Sequence, residues 1–216
     1  MSPYHRYNVH IYRHQNLVYI GTLKCASTYY STLLMDNGWQ RMTWNDIDWH
    51  QDHVFGFLLD PKRRWFKGIQ EDIQNEESKS FEHTAYQVIE NYWSHSFLVT
   101  NHTLPVTTAL GRWAWQVDWI PLTDRNSNLP QLQKLCGKYN VSVVPGPNTD
   151  PHVSDGTKLL QQEHIERSFK EGNVMWELFL QSDIDLYNSV CTNFNASGQT
   201  WDQTTWLNNA RTNNQH

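Results

Sequence analysis

Apolar and polar positions along the chain alternate between two periods, and the switches between them mark the elements. Leu17-Val18-Tyr19-Ile20-Gly21-Thr22 is a short apolar, β-prone run that reads as a buried strand. A helix should follow, with Ser27 and Thr28 as capping residues, Leu33 and Leu34 facing the core, and Gly38 where a C-terminal glycine belongs. Trp39 to Trp44 is a candidate second strand and His53 to Leu59 a third. Asp60-Pro61 then supplies an N-cap and a proline at the first helical position, and Trp65, Ile69 and Ile73 recur on one helical face.

Farther along, the pattern predicts a helix from about Phe81 to Trp93 and a strand at Val117 to Leu122 that proline stops. Pro145 to Pro151 reads as a loop, and helices are expected at 157–170 and 172–192. Ser182-x-x-Asp185 has the form of a capping box and marks a break in the last helix. Strand and helix alternate, so the expected class is α/β, a parallel sheet covered by helices. Residues 1–192 form one expected domain, followed by an Asn-, Gln- and Thr-rich tail at 193–216 that docks only if Trp201 and Trp206 find a groove.

Composition narrows the class. The chain has 216 residues and 38% hydrophobic content, with no apolar run long enough to cross a bilayer and no basic-then-apolar start. Three widely spaced cysteines fit a reducing compartment, so a soluble, cytoplasmic protein is expected. A formal net charge of −5 argues against a nucleic-acid backbone as main partner, so any anion site must be local. The histidines His5, His10, His14 and the pair His50-x-x-His53 lack accompanying cysteines or carboxylates in a metalloenzyme pattern, and no metal is expected.

The local anion site is expected at Tyr19 to Tyr29, a strand, tight loop and helix start whose free N–H groups and dipole favour negative charge. Lys24 adds a point charge. The order is not that of a Walker loop, because Lys24 precedes the small residues Cys25, Ala26, Ser27 and Thr28. Leu23-Lys24-Cys25-Ala26-Ser27-Thr28 resembles the phosphosulfate loop of the sulfotransferase superfamily, particularly the carbohydrate (heparan-sulfate-type) sulfotransferases, with Leu23 in place of proline. Leu59-Asp60-Pro61-Lys62-Arg63-Arg64-Trp65-Phe66-Lys67 resembles their R-D-P-x-x-R-x-x-S segment. Asp60, Pro61 and Arg64 fit it. Leu59 and Lys67 depart from it at the two positions that hold the donor's 3′-phosphate, and Lys67 is expected to restore the lost cation.

His102-x-x-Pro105, Trp119-Ile120-Pro121 and Asp183-x-x-Leu186-Tyr187 are similar to later features of that family in the same order, the last read as packing. His152 to Lys158 stands where such proteins close a loop over the nucleotide. The resemblance implies a three-layer P-loop-like fold with a central, mainly parallel sheet flanked by helices. It also implies 3′-phosphoadenosine-5′-phosphosulfate as co-substrate, bound by Lys24, Cys25, Ala26, Ser27, Thr28, Tyr29, Arg64 and Lys67, and a carbohydrate hydroxyl as acceptor, without a metal. Lys24 would stabilise the leaving phosphate. A general base is needed, usually His or Glu in such enzymes. Sites in open α/β sheets lie beyond the carboxyl ends of strands, which favours Asp46, Asp48 and His50 after the second strand; Glu71 and His102 are further candidates, and His50 and His102 are the preferred two. Two competing readings are a phosphotransferase and a degenerate sulfotransferase fold that binds nucleotide or glycan without catalysis. Cys25 as a nucleophile is a minor alternative.

Overall fold

The computed structural model describes residues 9–74, 102–122, 125–146 and 174–196. The expected helices at 81–93 and 157–170, the segment 152–158, and both tail tryptophans lie outside these residues. The fold is α/β, built on a five-stranded sheet in the order β3-β1-β2-β4-β5. The strands are β1 (Val9–His14), β2 (Leu17–Thr22), β3 (Gln40–Arg41), β4 (His53–Leu58) and β5 (Asp118–Pro121). The helices are α1 (Ser27–Asp36), α2 (Pro61–Gln74), α3 (Val106–Leu110), α4 (Arg125–Gly137) and α5 (Val174–Ala196).

The sheet is mixed, which corrects the expected mainly parallel one. β2, β4 and β5 run parallel, but β1 is antiparallel to both β2 and β3. The cause is a two-residue hairpin at Gln15-Asn16, with Gln15 at φ 56°, that folds β1 directly back along β2. A parallel neighbour needs a crossover; two residues permit only the antiparallel one.

Alternation along the strands divides the core between two faces. Leu17, Tyr19, Phe55 and Phe57 pack with Tyr30, Leu33 and Leu34 of α1 and with Leu132, Leu135 and Cys136 of α4. Tyr30 stacks on Phe57 with centroids 4.0 Å apart. On the other face Val18, Ile20, Val54 and Leu58 meet Val106 and Leu110 of α3 and Leu186 and Tyr187 of α5.

Several boundaries follow the expected chemistry. Asp60 accepts the Arg63 N–H at 2.9 Å and caps α2, while Trp65 and Ile69 are fully buried. Gly38 takes φ 79° just past α1. The expected strand at 39–44 shrinks to Gln40–Arg41, because Thr43 and Asp46 form a capping box that turns Trp44–Asp46 into a 3-10 helix.

α5 passes through Ser182 and Asp185 without a break. Asp183 is spent on a different helix: its carboxylate accepts from the N–H groups of Val106 and Thr107 at 2.8 Å and from Thr107 Oγ1 at 2.7 Å, capping α3. With Leu186 and Tyr187 buried in the core, the Asp183 to Tyr187 segment is packing plus a cap. Among the described residues, no helix is long and apolar enough to cross a membrane.

Candidate active site

β2 ends at Thr22 and α1 begins at Ser27, so four residues make the whole connection. The Cys25 N–H donates to the Thr22 carbonyl at 3.2 Å and closes the turn. Lys24 and Ala26 both adopt left-handed backbone, at φ 64° and 55°. For residues with a Cβ this costs about 1–2 kcal/mol each, so surrounding structure must hold the loop.

Two bonds do so. The buried guanidinium of Arg64 donates through Nε to the Leu23 carbonyl at 3.0 Å, and the Leu59 N–H donates to Cys25 Sγ at 3.4 Å. Cys25 is completely buried, which makes it the filler of the loop and not an accessible nucleophile.

Ser27 and Thr28, expected to cap α1, are instead its first two residues. The N-cap is Ala26, with no side-chain hydrogen bond. The N–H groups of Ala26, Ser27 and Thr28 therefore have no partner among the described residues. Alternating left-handed residues ahead of an uncapped ten-residue helix make a concavity of donors suited to an anion. Thr22 Oγ1, buried at the end of β2, also has no hydrogen-bond partner among the described residues.

Arg64 was expected to touch a ligand phosphate. It is 2% exposed, and its Nη2 donates to the Leu104 carbonyl at 2.8 Å while Nη1 has no hydrogen-bond partner among the described residues. One side chain of α2 thus clamps the loop before Lys24 to the segment after His102. Gly68, one turn on, makes this contact possible, since a Cβ there would stand 2.3 Å from the His102 carbonyl oxygen.

Leu59, where the family resemblance expects an arginine, is 3% exposed and packs in the first core cluster. Lys67 and Arg63 are half-buried on α2, and Lys24 is half-buried in the loop.

The two candidate bases separate. His102 is half-buried and two residues from the Leu104 carbonyl that Arg64 holds, so the clamp brings it to the Lys24 edge of the sheet. His50 does not lie beyond the carboxyl end of a strand. It is exposed in the turn that leads into β4, whose first residue, His53, pairs with Leu17 at the amino edge. Arg13, level with Val18, anchors that turn through Asp52 and the Asp46 carbonyl. β4 spans about 17 Å, so His50 and the Lys24 loop sit at opposite ends. Asp46 and Asp48 share the His50 edge; the side chain of Glu71 lies outside the described residues.

Sequence reasoning missed Thr22 and the positioning role of Arg64. A hydroxyl at a strand end before an anion loop was a signal for the first. Nothing in the sequence distinguishes a buried arginine from one facing a ligand. Among the described residues, no group of three or more His, Cys, Asp or Glu side chains is placed to hold a metal ion. Compared with family models, curated proteins and solved structures, the chain matches none.

Proposed function

We propose that this chain is a sulfotransferase of P-loop-like, three-layer design that moves a sulfuryl group from 3′-phosphoadenosine-5′-phosphosulfate to a hydroxyl, with a carbohydrate as the acceptor class. The observation that carries the reading is the uncapped α1 N-terminus behind left-handed Lys24 and Ala26, at the carboxyl edge of parallel β2, β4 and β5. Donor sites of open α/β sheets lie at this edge.

In this reading the N–H groups of Ala26, Ser27 and Thr28 bind the phosphosulfate oxygens. The acceptor oxygen attacks sulfur as the bridging sulfur–oxygen bond breaks, and the electron pair stays on the departing phosphate oxygen. Lys24 and the loop amides stabilise that charge. His102 takes the acceptor proton and is favoured over His50 by its edge of the sheet. At the other end of the donor, Leu59 offers no charge, and Lys67, on the same helix as Arg63, is the cation to replace it.

The test is transfer of radiolabelled sulfate from the donor to a panel of glycans. His102→Ala should abolish turnover while retaining donor binding, and His50→Ala should leave turnover unchanged. The burial of Leu59, which leaves no cation at that position, favours one second reading, a fold that binds nucleotide or glycan without catalysis. Donor binding with no sulfated product across the panel selects it.

A further inference from the structure

Among the described residues β5 is the last strand of the sheet, and its outer edge forms the floor of a cleft of about 350 Å³. The walls are α4 with the turn after it on one side and α5 on the other. Gln131, Lys134 and Lys138 come from the first wall, Phe194 from the second, and Trp115 and Trp119 from β5 and its approach. The trough therefore straddles the sheet edge, with one flanking helix on each face.

The floor offers backbone. Leu122 donates its N–H to the Leu58 carbonyl at 2.9 Å, and strand alternation then turns the N–H and C=O of Trp119 away from β4 into the cleft. Neither Trp119 backbone group has a hydrogen-bond partner among the described residues. Pro121, which has no N–H, accepts from Asn128 Nδ2 at 2.8 Å, closing the carboxyl end of this edge. β5 supplies about 10 Å of floor, the length of three extended residues.

The walls offer charge. Gln131, Lys134 and Lys138 recur along one stripe, and both lysines are exposed. The one acid in the lining, Asp118, already faces His53 Nε2 at 3.3 Å. Trp115 stands 54% exposed at the rim, a large apolar surface for a partner to cover.

We propose that this trough docks an extended, acidic peptide segment of another protein, which adds beside β5 as a sixth strand. Its backbone would pair with Trp119, and its carboxylates would face Lys134 and Lys138. A second copy of this chain fits less well, because pairing two β5 edges would bring four lysines together.

The test uses the full chain and a synthetic hexapeptide of alternating glutamate and valine, followed by calorimetry. Binding is expected at millimolar peptide or below. It should be lost when the peptide amides are N-methylated and weakened by about an order of magnitude in the double variant Lys134→Glu, Lys138→Glu. Trp115→Ser should weaken it independently, with unchanged circular dichroism for both variants. Four results would overturn the proposal: no binding, equal binding of the methylated peptide, equally tight binding of an oligogalacturonate, or dimerisation of the chain through this edge.

Discussion

Arg64 and Leu23 are joined by a 3.0 Å hydrogen bond from guanidinium Nε to backbone carbonyl, and this bond fixes the residue that precedes Lys24. The same guanidinium holds Leu104. Arg64→Ala removes two charge-assisted bonds from a buried site and should cost about 3 kcal/mol in denaturant unfolding. Arg64→Lys keeps the charge but lacks the fork, so it should recover only part of that stability. Donor affinity should fall in both; full donor binding by Arg64→Ala would show that the loop holds itself.

Gly68→Ala sets two effects against each other. Alanine in a helix is favoured over glycine by about 1 kcal/mol, but the added carbon would meet the His102 carbonyl at 2.3 Å. Backbone on both sides cannot yield as a side-chain tip would, so the contact should win and lower stability by about 1–2 kcal/mol net. A rise in melting temperature would contradict this packing.

Asp183→Asn keeps the shape of the carboxylate that caps α3 but leaves one acceptor oxygen for three donors. The expected loss is about 2 kcal/mol, measured by urea unfolding. An unchanged midpoint would mean that water replaces the cap.

Burial, with the Arg41 charge second, holds the His10 imidazole below its ordinary value of 6.5. As pH falls below 6.5, the unfolded chain takes up a proton that the folded chain refuses, so His10 makes stability fall until it titrates in the fold. His10→Gln should flatten this acid-side decline, read from melting temperatures across the window. A decline as steep as before would show that His10 does not drive the acid-side loss of stability.

What was legible in the sequence was mainly what local chemistry decides. Leu17 to Thr22 carries no charge, begins with four large apolar residues and folds as a strand buried on both faces. Asp60-Pro61 starts α2 because proline suits the first turn and aspartate accepts its N–H. β1 escaped detection because His10, Arg13 and His14 interrupt its apolar pattern, and its place comes from a hairpin at Gln15-Asn16 without glycine. His50 was assigned to the wrong edge because a long expected strand at 39–44 would have delivered it to the carboxyl end. The chain instead turns at Trp44–Asp46 and returns along Arg13. Arg64 shows the same limit at the site, since its burial depends on carbonyls about forty residues away on either side.

The proposed activity rests on the Lys24 loop, and titration calorimetry with 3′-phosphoadenosine-5′-phosphate tests it most directly. Saturable binding at one site is expected, weakened at least about tenfold by Lys24→Ala with the fold intact by circular dichroism. No binding, or equal affinity in Lys24→Ala, would contradict it.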